Sequence, residues 1–361
     1  MAAAYTRRLP GLEVVSLTGP LALLRNSHVD VAHMFGLSRP LKLRYLPLLC
    51  RQREQVFDQD YRPPKWFYRV IGHYARIRCA DLVFTRKPET AMVTTRAGLD
   101  TVLETHVPWE ERPWRGVSSE MLRSPKLRAL VVISQPLADS ILGAGALPEK
   151  VLVEPDGVDI NQFDPPMDKV IARENLGLCL GESLCVYSGH LHSGRGIDEI
   201  LEAARVLSNV HFLFLGGWDR DVKYYRGVAR SQALTNVTFR GYVPHTEVPL
   251  YLFASDILLM PYNASLHTAK RCSPLKLFEY MAAGRPIISS DLPSLRTVLR
   301  HKMNAFLIRP DSVIDLIEAI RYILASRGLT ESLSKNARRA SMKYSWDERA
   351  SRILDHALGN I

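Results

Sequence analysis

The chain has 361 residues, of which 47% are apolar and 23% charged, and its formal net charge is +10. That length accommodates about two domains of 100–200 residues, and the balance is that of a globular protein rather than a disordered or fibrous one. No run of about 18 consecutive apolar residues is present, so no membrane-spanning helix is expected. Met1–Arg8, followed by Pro10-Gly11, lacks the charged-apolar-small order of a signal peptide. Cys50, Cys79, Cys179, Cys185 and Cys272 form no CxxC pair and no histidine cluster has metal spacing, so reduced cytoplasmic thiols and no metal site are expected.

In chain order, short apolar runs predict strands at residues 13–17, 29–33, 82–85, 101–105 and 130–133. Between the second and third lies a basic segment, Arg39 to Arg78, with ten Lys/Arg against three acids and with Leu43, Tyr45, Leu46, Trp66, Phe67 and Tyr68 among the charges. It reads either as a solvated helix face beside a core stripe or as a surface for an anionic membrane. Nucleic acid is not expected, because no binding motif accompanies the charge. After residues 151–154 a second series begins, with strands at 183–188, 211–215, 237–240, 257–260, 286–289 and 304–308. Helical periods fall at 196–207, 246–254, 274–283 and 313–326. Alternation of nearly continuous apolar strands with helices predicts parallel sheets covered on both faces. Two such series predict two α/β domains, residues 1–155 and 156–345, parted where Pro155, Asp156, Gly157, Pro165 and Pro166 crowd together. An amphipathic stretch at 346–361 closes the chain; where it packs is open, with the first domain one candidate. A cleft between two doubly wound domains is the default ligand site.

Three constellations carry chemistry. Ser188-Gly189-His190-Leu191-His192-Ser193-Gly194-Arg195-Gly196 joins an expected strand to an expected helix. Its glycines allow close backbone approach, the helix start offers free N–H groups, and Arg195 has the fork geometry for a phosphate; an ordinary glycine-rich turn is the plainer alternative. Next, Ser273 suits an N-cap and Pro274 the first helical position, while Lys276 and Glu279, three apart, share one face near the helix start. A lysine there meets phosphate and a carboxylate accepts ribose hydroxyls, unless the two are only a surface pair supporting the helix. Lastly, His106 ends the strand at 101–105, placed either to handle a proton on a sugar hydroxyl or as a satisfied structural residue.

With Pro155-Asp156-Gly157-Val158-Asp159, Gly241-Tyr242-Val243, the Ser188–Asp198 loop, Ser273–Asp291, Val83-Phe84-Thr85-Arg86, Glu104-Thr105-His106 and Ile133-Ser134 on the page, the chain resembles the retaining glycosyltransferases of family 4, of the bacterial polysaccharide type, over nearly its whole length. The resemblance implies the GT-B fold: two Rossmann-like doubly wound domains facing a cleft. It implies a hexosyltransferase-type enzyme that moves a sugar from a UDP- or GDP-linked donor to a saccharide or lipid-linked acceptor, with retention and without metal or other cofactor. Arg195 and Lys276 would neutralise the diphosphate and, with His106 on the acceptor side, form the catalytic set. Glu279 would hold the ribose; Gly241, Tyr242 and Val243 would flank the base; Gly189, His190, Ser273, Pro274 and Leu275 would complete the donor site. A cytoplasmic protein, peripheral on the inner membrane face through Arg39 to Arg78, would follow.

Two departures accompany it. The family often has a Glu-x7-Glu pair, whose first position is Arg271 here, and a Gly-Arg pair that is Gly189-His190 here. Met1–Arg8 resembles only the end of a first helix, so the first sheet is expected to lack its first strand. A misassigned start, a partner chain that completes the sheet and lost acceptor binding stay open as reasons. A weakly active or inactive sugar-nucleotide-binding accessory subunit, and a sugar-nucleotide epimerase, are the competing functions.

Overall fold

The computed structural model describes residues 14–18, 43–47, 65–111, 114 and 116–359, with side chains from Tyr68 onward. Its main elements are β1 (Val14–Thr18), β2 (Leu43–Pro47), α1 (Lys65–Ile77), β3 (Val83–Thr85), α2 (Pro88–Arg96), β4 (Thr101–Thr105), β5 (Leu127–Val132), α3 (Gln135–Gly143), β6 (Val151–Val153), α4 (Lys169–Leu176), β7 (Ser183–Ser188), α5 (Ile197–Val206), β8 (Val210–Leu215), α6 (Asp219–Ser231), β9 (Val237–Gly241), α7 (Val248–Ala254), β10 (Ile257–Met260), α8 (Leu275–Ala283), β11 (Ile287–Ser290), β12 (Phe306–Ile308), α9 (Val313–Ala325), α10 (Arg327–Ser341) and α11 (Trp346–Gly359). They form two compact units, residues 1–154 with 347–361, and residues 155–346.

In the first unit β3-β4-β5-β6 make a parallel four-stranded sheet, and β1 and β2 make a parallel pair of their own. All five residues of β4 are buried, as in a strand covered on both faces. Leu103, Leu130 and Val132 face Leu137, Ala138 and Ile141 of α3. Their neighbours Val102, Ala129 and Val131 face Ile353 and Ala357 of α11. The period of two thus assigns one face to the final helix. The expected helix end at Met1–Arg8 and the expected strand at 29–33 lie outside the described residues.

The second unit holds a six-stranded sheet in the order β12-β11-β10-β7-β8-β9, parallel throughout. Leu184, Val186, Leu213, Leu215, Leu258 and Met260 pack on one side with Leu277 and Met281 of α8. Cys185, Tyr187, Phe212, Phe214, Ile257 and Leu259 pack on the other with Ile200 and Leu201 of α5. From β7 the order runs outward through β8 to β9 and, on the other side, through β10 to β12. The switch point between β7 and β10 is where such sheets open a crevice at their strand C-termini.

Several expectations need correction. Ser273 is not the cap of α8: Pro274 is extended (φ −72°, ψ 128°) and the helix starts one residue later, at Leu275. The Ser273 hydroxyl instead accepts the Asp156 N–H at 2.8 Å. The basic segment is not one helix face either, since Leu43–Pro47 is a strand and, among its described residues, Lys65–Ile77 is the helical part. Helices α2, α3, α4, α6 and α10 were not expected. In α6 only Val222, Tyr225 and Ala229 are buried, and in α10 only Leu333, Ala337 and Ser341. A stripe of three residues among charges is too narrow to register as a helical period.

Candidate functional site

The C-terminal ends of β7 and β10 bring together residues that are far apart in the chain. The Lys276 side chain, from the first turn of α8, is buried, and among the described residues its Nζ has no hydrogen-bond partner. That Nζ stands 3.5 Å from the centre of the Tyr187 ring at the end of β7 and 5.4 Å from the Tyr262 ring beyond β10. Burial, and after it the Arg195 guanidinium, hold the Lys276 ammonium well below the usual lysine range. Two ring faces partly compensate a desolvated cation, but they leave its hydrogens without acceptors.

Arg195 lies beside it. Its Nη1 donates to the Tyr262 hydroxyl at 2.6 Å, and its guanidinium carbon is 4.8 Å from that ring. Both adjoining turns demand glycine. Gly189 has φ +124°, and a Cβ there would stand 3.1 Å from the Lys276 Cε and Nζ; Gly196 has φ +79°, and a Cβ there would meet the Pro261 carbonyl. The Gly196 N–H donates to Asn263 Oδ1 at 3.2 Å, tying the two strand ends together.

Glu279, one turn along α8, is largely buried, with His245 Nδ1 3.8 Å away. Burial raises its carboxyl above the ordinary value against the lowering charges of His245 and Lys276. His190 stacks between His192 (centroids 5.1 Å) and Trp218 (5.6 Å). Burial, then His192, Arg195 and Lys276, lower its tendency to hold a proton. Gly241 ends β9, Tyr242 beyond it is 80% exposed and Val243 is buried. Leu275 is exposed at the start of α8. Arg271 Nη2 is 3.3 Å from His267 Nδ1. A groove of about 660 Å³ at the other end of α8, lined by Ala283, Arg285 and Arg338, contains none of these candidates.

His106 belongs to the first unit. Its Nδ1 is 2.7 Å from Arg86 Nη2 and its Nε2 is 2.9 Å from Glu104 Oε1. Glu104 also pairs with Arg349 of α11 at 2.9 Å. Sequence reasoning missed the Tyr187 and Tyr262 rings, Asn263, His245 and Arg349. Tyr187 sat inside an expected strand, whereas no spacing signal links Arg349 to Glu104 across 245 residues.

Residues 168–340 match the family model described as Glycosyl transferases group 1. The matched stretch lies wholly within the second unit. Among curated proteins, the D-inositol 3-phosphate glycosyltransferase of Xylanimonas cellulosilytica is 26% identical over 63% of this chain and 56% of its own length. The alpha-galactosylglucosyldiacylglycerol synthase of Streptococcus pneumoniae is 25% identical over 61% and 58%. The chain thus spans about half the length of these relatives. Among solved structures, a glycosyltransferase from Rickettsia africae superposes with a TM-score of 0.74 at 14% identity, covering 99% of this chain and 93% of that one. HepE of Anabaena in complex with UDP-glucose superposes with a TM-score of 0.69 at 18% identity, covering 100% and 94%. The chain has the α/β fold of these GT-B glycosyltransferase structures.

Proposed function

We propose that the protein is a glycosyltransferase that moves a sugar from a nucleotide-sugar donor, UDP- or GDP-linked, to a saccharide or lipid-linked acceptor, with retention and without metal or other cofactor. The observation that carries this reading is the buried Lys276 amine, without an acceptor among the described residues, beside the Arg195 guanidinium at the switch point of a doubly wound sheet. A diphosphate supplies what both cations lack, and the nearby start of α8 adds N–H groups of the same sense. As the donor breaks down, these groups stabilise the charge that grows on the departing diphosphate. Glu279, three residues on, is placed for ribose hydroxyls. The family match over residues 168–340 and a relative-in-fold that carries UDP-glucose support the reading.

A thermal-shift screen with UDP-, GDP-, ADP- and dTDP-sugars tests it. One donor class raises Tm by mass action, and Glu279→Ala removes the shift together with transfer. Absence of any shift overturns the donor site; a shift without transfer or hydrolysis leaves only a binding subunit.

We further propose cytoplasmic-face membrane contact through α1, which carries Arg69 and Arg76, with Arg78 just beyond its end, beside Val70 (40% exposed) and Ile77 (80% exposed). Among the described residues no helix is long and apolar enough to cross a membrane, so contact of this kind is at the surface. Sedimentation with anionic vesicles at low salt is expected to carry the protein down; no binding there contradicts it.

A further inference from the structure

At the end of β4, Glu104 joins three residues. Oε1 accepts from His106 Nε2 at 2.9 Å, Oε2 accepts from Arg349 Nη1 at 2.9 Å, and Arg86 Nε lies 3.7 Å from Oε1. Glu104 and Arg349 are each 1% exposed. Burial works to raise the Glu104 carboxyl, but the His106 hydrogen bond, the Arg349 charge and lesser contributions from His106 and Arg86 outweigh it and hold it down to about 2.

These partners leave one protonation pattern on the imidazole. A guanidinium only donates, so Nδ1, facing Arg86, is the acceptor. An ionised carboxylate only accepts, so Nε2 carries the hydrogen. We propose that Arg349 and Glu104 form a buried positioning pair that holds His106 as the neutral Nε2–H tautomer, making Nδ1 its reactive face. This rests on the reading of His106 as the acceptor-side residue of the transferase. Arg86 covers Nδ1 in the ligand-free protein, and a substrate hydroxyl takes its place by donating to the same lone pair.

Arg349 acts through Glu104. Its second nitrogen donates to the Glu154 carbonyl at 3.1 Å, and Arg352, one turn on, grips the Glu154 carboxylate at 2.8 and 2.9 Å. Without Arg349, the buried Glu104 carboxylate keeps only His106 and the more distant Arg86 as partners, and nothing on its Oε2 side fixes it as the acceptor of the Nε2 hydrogen.

The test is 15N NMR of the imidazoles in the full chain, with His106 assigned by its loss in His106→Asn. Wild type is expected to show Nε2 protonated and Nδ1 bare; Arg349→Met is expected to show the hydrogen spread over both ring nitrogens, as a mixture of tautomers, at the same pH. Arg349→Lys restores the wild-type signature, and Arg352→Met, which breaks the neighbouring pair on the same helix, leaves it unchanged. In Glu104→Gln the Nε2–H resonance moves to higher field as a charge-assisted bond becomes a neutral one; this keeps the test open if Arg349→Met does not fold. In turnover, Arg349→Met is expected to lower kcat by about ten- to hundredfold with KM for the donor unchanged, and Arg349→Lys to recover it. A wild-type signature with hydrogen on Nδ1, or a folded Arg349→Met indistinguishable from wild type, overturns the positioning pair. If His106→Asn retains full transfer while the signatures shift as stated, it is the transferase role of His106 that fails, and the pair stands.

Discussion

The strand ends of the two units treat buried charge in opposite ways. In the first unit, Glu104, His106, Arg86 and Arg349 satisfy one another: each hydrogen-bonding face of the imidazole has a partner, and the buried carboxylate has a buried guanidinium. In the second, Lys276 is buried, its Nζ has no hydrogen-bond partner among the described residues, and Arg195 as neighbour further disfavours its charged form. A satisfied network rigidifies a site. A buried cation without an acceptor costs stability, and such a cost is understood where a ligand later supplies the missing charge.

The contrast predicts mutations of opposite sign. Arg349→Met strands Glu104 and is expected to destabilise the protein by about 3–5 kcal/mol, the usual cost of leaving one partner of a buried pair alone. Lys276→Met removes a buried amine whose charged form burial and Arg195 disfavour, and is expected to stabilise the free protein by about 1–2 kcal/mol, as replacements at strained functional sites do. Urea unfolding of the two variants reads both, and equal signs would erase the distinction.

A smaller effect lies in the acid limb. The Glu104 carboxyl is held below its unfolded value of 4.5, to about 2. Its contribution to stability is therefore complete above 4.5 and is lost as pH falls from there toward 2, because the unfolded chain takes up the proton first. The stability gap between wild type and Glu104→Gln should narrow over that interval; a constant gap would show that the carboxylate is not held by its partners.

How much of this was legible in the sequence follows the physics. β7, β10 and β4 matched their expected bounds residue for residue; β10 and the middle of β7 are unbroken apolar runs, as strands buried on both faces tend to be, whereas β4 keeps only Val102 and Leu103 between polar residues. Helices α6 and α10, with three buried residues each, left no such print. The Gly189, Arg195 and Lys276 segments were marked by local cues, namely glycines, Pro274 and a three-residue spacing, and the fold brings them into one crevice. Ser273 was misread because Ser-Pro is a common way into a helix, while here its hydroxyl serves the Asp156 N–H instead. Sequence offers no cue for Tyr187 and Tyr262 beneath Lys276, or for Arg349 reaching Glu104, since those meetings depend on topology.

The most direct test of the account is calorimetric titration of the protein with UDP and GDP, on the alkaline side of neutrality, in buffers of different ionisation heat. Lys276 is held low by burial and by Arg195, and a bound diphosphate would favour its charged form. Binding should therefore take up protons, and affinity should strengthen as pH falls from the ordinary lysine range toward the lowered value. Lys276→Met should bind about a hundredfold more weakly, the order of one lost charge-assisted contact or more, with the uptake reduced. Binding of equal strength in both proteins, with no proton taken up by either, would contradict a diphosphate site at Lys276.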